Sequence, residues 1–89
     1  MIKKGYVYIL RDSTGKFYVG STTDVERRLY QHEGGHTQTT ARMKNPEIML
    51  AQVYDSLVQA RKIERNIKAL KRKDYIEKIV RDGYIKMKI

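Results

Sequence analysis

The chain has 89 residues, 40% of them hydrophobic and 33% charged, and its nineteen Lys and Arg against ten Asp and Glu give a net charge of +9. A chain of this length buries roughly 60–65% of its unfolded surface, enough for one modest core, so residues 1–89 are expected to form a single domain. The absence of cysteine excludes disulfides, thiolate catalysis and Cys-based zinc sites, and the two histidines alone cannot complete a metal site. No apolar run approaches the roughly 20 residues of a membrane span. The segment MIKKGYVYILRD has no small-residue cleavage site, so it is not read as a signal peptide. A cytoplasmic protein without membrane contact is the expectation. The positive charge favours a polyanionic partner, of which nucleic acid is the commonest. Seven bases, Arg61, Lys62, Arg65, Lys68, Lys71, Arg72 and Lys73, crowd one stretch that holds a single acid, Glu64.

The first element is a strand over residues 6–11, YVYILR, which is rich in β-branched and aromatic side chains. DSTGK (12–16) supplies turn residues, and FYVGST (17–22) forms a second such run, so the two read as a hairpin. Tyr6, Tyr8 and Leu10 share one face of the first strand, with Val7 and Ile9 on the other. On the second strand Tyr18 and Gly20 share a face. Paired tyrosines ordinarily sit at the rim of a core, whereas a glycine within a strand often marks a close approach of backbone or ligand.

A helix follows, with Thr23 and Glu26 forming a capping box and Gly34 a stop. At about 100° per residue, Val25 and Leu29 set its buried direction. Arg28 projects within about 60° of Val25 and His32 within about 20°, whereas Arg27 points to solvent. Residues 35–46 read as a polar, basic loop that contains His36, read as solvated. EIMLAQVYD (47–55) is the third strand. Ser56 with Gln59 opens a helix running to about Arg72, and Asp74 with Glu77 opens a shorter one ending near Gly83. In the longer helix Ala60, Ile63, Ile67 and Leu70 make the apolar stripe, and Glu64 lies at its edge. Glu64 there is either the i, i+4 salt-bridge partner of Lys68 or a metal ligand. The fold class is α+β, a small three-stranded antiparallel sheet packed with helices in the order β-β-α-β-α-α.

Phenol hydroxyls, an arginine, a histidine and a carboxylate are complementary in type. Together they could hold a phosphodiester, activate water and bind a divalent cation. Tyr6-Val7-Tyr8, a short turn and Tyr18-Val19-Gly20 resemble the two half-motifs of the GIY-YIG nuclease superfamily. The resemblance continues through TTDVERRLYQH and QARKIERNIKALKR, spans about residues 5–72, and is especially strong for the small stand-alone bacterial members.

What the resemblance implies is a metal-dependent DNA endonuclease with a role in repair or recombination. Tyr8 and Tyr18 match the motif tyrosines, one orienting or deprotonating the attacking water. Gly20 matches the second motif's glycine and leaves room for substrate. Arg28 matches the catalytic arginine, which grips the phosphate. His32 matches a histidine that some branches carry one turn later, and Glu64 matches the carboxylate that holds one Mg²⁺ or Mn²⁺. Tyr6 departs from the first motif's glycine, Ser21 stands where several nucleases carry a lysine, and no asparagine matches the one that some members place late. Substrate contacts are expected from Arg42 and Lys44 of the loop, from the basic helix with Lys68, or from a protein partner that supplies specificity. Two other readings are a non-catalytic nucleic-acid-binding module of the same fold and an adaptor whose basic surface meets an acidic protein.

Overall fold

The computed structural model describes residues 3–28 and 46–87. Strands β1 (Gly5–Arg11) and β2 (Phe17–Thr22) form the expected hairpin. Its turn is organised by one carboxylate. Asp12 Oδ1 accepts from the Thr14 N–H at 3.0 Å, the Thr14 hydroxyl at 2.7 Å and the Lys16 N–H at 2.8 Å. An Asp side chain that bonds the backbone just ahead of it stabilises a reversal in this way. Gly15, at φ 90°, takes the left-handed position that the turn needs.

Strand β3 (Glu47–Tyr54) pairs antiparallel with the free side of β1, giving the sheet order β2-β1-β3. Tyr8 thus lies opposite Gly20 on one side and Ala51 on the other. β1 is central, and Val7 through Leu10 are all buried. Its Val7 and Ile9 join Val19 of β2 and Ala60, Ile63 and Ile67 of helix α2 (Leu57–Leu70) in one apolar cluster. Burying each such aliphatic side chain contributes about 1.5–3 kcal/mol. Gly5 admits this packing, because a Cβ there would overlap the α2 backbone at Ser56 and Leu57.

Two of the three helix starts differ from the sequence expectation, the first by one residue and the last by two. The first helical turn, α1, is described over residues 25–28. Its cap is Asp24, whose side chain accepts from the Arg27 N–H at 3.1 Å, and not Thr23. Ser56 caps α2 as expected, accepting from the Gln59 N–H, while Gln59 returns its bond to the N–H of Asp55. α2 ends at Leu70 because Lys71 turns left-handed at φ 51°, and Leu70 is 42% exposed, so the stripe's last member leaves the core. Helix α3 (Lys73–Asp82) starts before Asp74, whose carboxylate pairs with Arg72, and it stops at Gly83, at φ 81°. Beyond it the chain is fastened to β3. Gln52 accepts from the Ile85 N–H at 2.7 Å and donates to the Ile85 carbonyl at 3.2 Å. Among the described residues, no helix is long and apolar enough to cross a membrane.

Candidate active site

The period-2 alternation of the hairpin puts Tyr8 and Tyr18 on the face of the sheet opposite the α2 core. Their ring centroids are 6.3 Å apart with planes tilted by 43°. Tyr8 is 2% exposed and folds over Gly20, where a Cβ would overlap its hydroxyl and ring. Arg28, from α1, hydrogen-bonds the Tyr8 hydroxyl, and its Nε is buried. Arg27 is exposed, as the helical geometry predicts. Burial, then the neighbouring Tyr18, push the Tyr8 pKa up to about 12 against the opposing pull of Arg28. Tyr8 is therefore a neutral phenol at physiological pH.

Glu64 approaches from the other face. Its Oε1 accepts from the Ser21 hydroxyl at 2.5 Å and its Oε2 from Lys68 Nζ at 2.7 Å. The Glu64 side chain is 21% exposed. Lys68 Nζ also lies 5.5 Å from the centroid of the Tyr18 ring. Because β2 is an edge strand, the two halves of the cluster meet around its rim: Tyr8, Tyr18 and Arg28 on one side, Glu64, Ser21 and Lys68 on the other. The i, i+4 pair expected of Glu64 and Lys68 is formed.

Ser21 was visible in the sequence only as a departure from the lysine found in several nucleases. In the fold it fixes one oxygen of Glu64. The available signal was its place on the Val19 face, which α2 covers. His32, Arg42 and Lys44 lie outside the described residues, as does His36. Asn66 is half-buried on α2, two residues beyond Glu64.

Among the described residues, no three of His, Asp and Glu come together. A hard cation such as Mg²⁺ keeps several waters and commonly takes one or two carboxylates together with substrate phosphate. A single partly exposed carboxylate oxygen fits that demand, with Oε2 shared at present with Lys68.

The family model described as the GIY-YIG catalytic domain matches residues 4–78. The chain belongs to the GIY-YIG family. The GIY-YIG domain marks a nuclease-type family whose members typically use divalent metals and act on nucleic acid. Relatives in bacteria and archaea carry the name UPF0213 protein. One from Pectobacterium carotovorum is 42% identical over 81 residues, covering 86% of this chain and 78% of that one. Another, from Halobacterium salinarum, is 35% identical over 68 residues, covering 75% and 88%. The solution NMR structure of the UPF0213 protein from Bacillus halodurans is 30% identical, with a TM-score of 0.57 over 90% of this chain and 86% of that one. Its fold is the same small GIY-YIG arrangement of a three-stranded sheet packed with helices.

Proposed function

We propose that this GIY-YIG protein is a metal-dependent endonuclease that hydrolyses a phosphodiester bond of DNA, acting as one domain over residues 1–89 in repair or recombination. The observation that carries the reading is the meeting of Tyr8, Tyr18, Arg28 and Glu64, from four separate elements, around the rim of β2. Arg28, oriented by its bond to Tyr8, presents a planar fork suited to phosphate oxygens, where charge develops as water attacks. Tyr8, held neutral by burial, orients that water as a hydrogen-bonding phenol. Removal of the water's proton falls to Tyr18, half-buried beside the Lys68 ammonium. Glu64 would hold the divalent ion, with Ser21 fixing the carboxylate's second oxygen. When bound, the ion polarises the phosphate and stabilises the oxygen that leaves.

One observation favours the second reading, a binding module without catalysis. Both Glu64 oxygens already accept hydrogen bonds, as in an ordinary structural ion pair. A cleavage assay separates the two. Labelled single-stranded, duplex, flapped and four-way-junction DNA and one RNA are incubated with the protein in Mg²⁺, Mn²⁺ or EDTA, beside Glu64→Gln. Cleavage that needs both the metal and Glu64 supports the nuclease. Salt-sensitive binding with no cleavage on any substrate supports the binding module.

A further inference from the structure

Next to the catalytic cluster, the hairpin turn and the α2–α3 junction flank an open surface cavity of about 320 Å³. That volume falls in the range of small-molecule sites, roughly 300–1,000 Å³. Its walls combine two chemistries. Phe17, Ile67 and Ile76 are apolar, and the Phe17 ring carries the Arg11 guanidinium 5.9 Å from its centroid. Around them stand cations, among them Lys16, Lys71 and Lys73. Arg72 is committed to Asp74, but among the described residues neither Lys71 nor Lys73 makes an ion pair. The break at Lys71 sets three bases in succession at this corner, with a lysine in a left-handed position that glycine usually fills. Lys73 reaches across toward Gly15, so positive charge rims the cavity on both sides.

The cavity also connects to the chemistry. Lys68 lines it while bonding Glu64, and Ile67 sits within one helical turn of Glu64. On β2, Phe17 immediately precedes Tyr18. An apolar, aromatic wall enclosed by cations complements a nucleotide, with a flat base against Phe17 and a phosphate on the lysines. An acidic peptide would match the charge but would give the Phe17–Ile67–Ile76 wall nothing flat to stack.

We propose that this cavity is a nucleotide subsite, which takes an unpaired base and its phosphate from the strand that is cut at the neighbouring cluster. Cleavage of the bound strand rests on the nuclease reading; the binding itself stands apart. A base inside a duplex is stacked and cannot enter, so the preferred substrate carries unpaired nucleotides beside the scissile bond.

Fluorescence anisotropy on the full chain in EDTA, where cleavage is suppressed, tests it with three probes: a blunt duplex, the same duplex with a single-stranded overhang, and that overhang made abasic. The wild type is expected to prefer the normal overhang, and the abasic probe to lose the preference. Phe17→Leu, which keeps apolar volume without the ring, is expected to weaken overhang binding roughly five- to tenfold. Phe17 also packs on the core, so a second variant guards against misfolding. Lys71→Gly with Lys73→Gln suits the left-handed backbone, and it should weaken overhang binding and lower the salt slope by about two. Equal affinity for blunt and overhang probes would overturn the subsite, and so would overhang binding unchanged in both variants. Displacement of the overhang by poly-glutamate as effectively as by unlabelled DNA would overturn it too. Base-dependent overhang binding without cleavage in metal would keep the subsite and remove the nuclease. Metal-dependent cleavage without overhang preference would do the reverse.

Discussion

The Tyr8 hydroxyl occupies the space that a side chain at Gly20 would need, directly across the β1–β2 ladder. The glycine is thus half of a matched pair, and the buried phenol fills what the strand leaves open. Tyr8 cannot swing aside cheaply, since its ring is buried. Gly20→Ala is expected to destabilise the fold by about 1–3 kcal/mol through overpacking. It should also lower cleavage at least tenfold, by moving the hydroxyl away from Arg28. Thermal unfolding beside single-turnover cleavage checks both. Wild-type stability and rate in the variant would mean that the hydroxyl's position is unimportant.

Arg28 and Arg27 are adjacent in sequence and differ in surroundings, one partly buried against Tyr8 and the other exposed. Arg28→Lys should lower kcat by at least a hundredfold, because an ammonium cannot reproduce the planar fork. Arg27→Lys should change kcat less than threefold. A reversed order in steady-state cleavage would refute the assignment of the helix faces.

Ser21 and Lys68 hold the two oxygens of Glu64 and should act in opposite senses. Ser21→Ala frees the carboxylate to rotate, and it is expected to weaken Mn²⁺ binding about tenfold. Lys68→Gln removes a competing cation and should tighten Mn²⁺ binding severalfold. The exposed pair contributes at most about 0.5 kcal/mol, so stability should hardly move. Titration calorimetry with Mn²⁺, free of substrate, reads both shifts.

Two groups give the stability profile opposite limbs. The Asp12 carboxyl lies below its usual range, held there first by the Thr14 hydroxyl and then by the backbone N–H groups of Lys16 and Thr14. Its contribution is present above the unfolded value of roughly 4 and is lost as pH falls through the lower folded value. Tyr8 runs the other way. Its contribution is complete below the unfolded value of roughly 10 and disappears as pH rises toward its folded value of about 12. Urea midpoints should fall less on acidification in Asp12→Asn than in the wild type, and less above pH 10 in Tyr8→Phe.

Gln52 acts as a single-residue extension of the sheet, making both bonds to Ile85 that a neighbouring strand would make. Gln52→Ala leaves a buried N–H without its acceptor, and is expected to cost about 1–3 kcal/mol. Hydrogen exchange at the Ile85 amide should accelerate far more than exchange in β1. Equal acceleration at both places would show global rather than local loss.

The fold was legible because local chemistry and pattern agreed along most of the chain. The Asp12–Lys16 turn, the β-branched runs and the Ala60–Ile63–Ile67 stripe each announce their element. Cap positions were less legible. Thr23 and Asp24 can both cap, and the choice depends on backbone angles that side-chain identity does not set. The catalytic-type residues stood out as a set only through spacing and resemblance. Ser21's bond to Glu64 was out of reach, since it joins the β-register to the rotation of α2 across a sequence separation of 43. The exposure of Leu70 likewise follows from where α2 breaks, and periodicity says nothing of that.

The cluster curls around a strand that, among the described residues, has pairing groups to spare. An open sheet edge invites another strand, and a second copy of the same chain is always the nearest supply. Here Lys16, Lys68, Lys71 and Lys73 gather near the start of that strand, so two copies approaching there repel each other, while the same field favours a polyanion. Charge of one sign thus opposes self-association at the edge where the cluster sits. Neutralising those lysines should cost solubility as well as affinity.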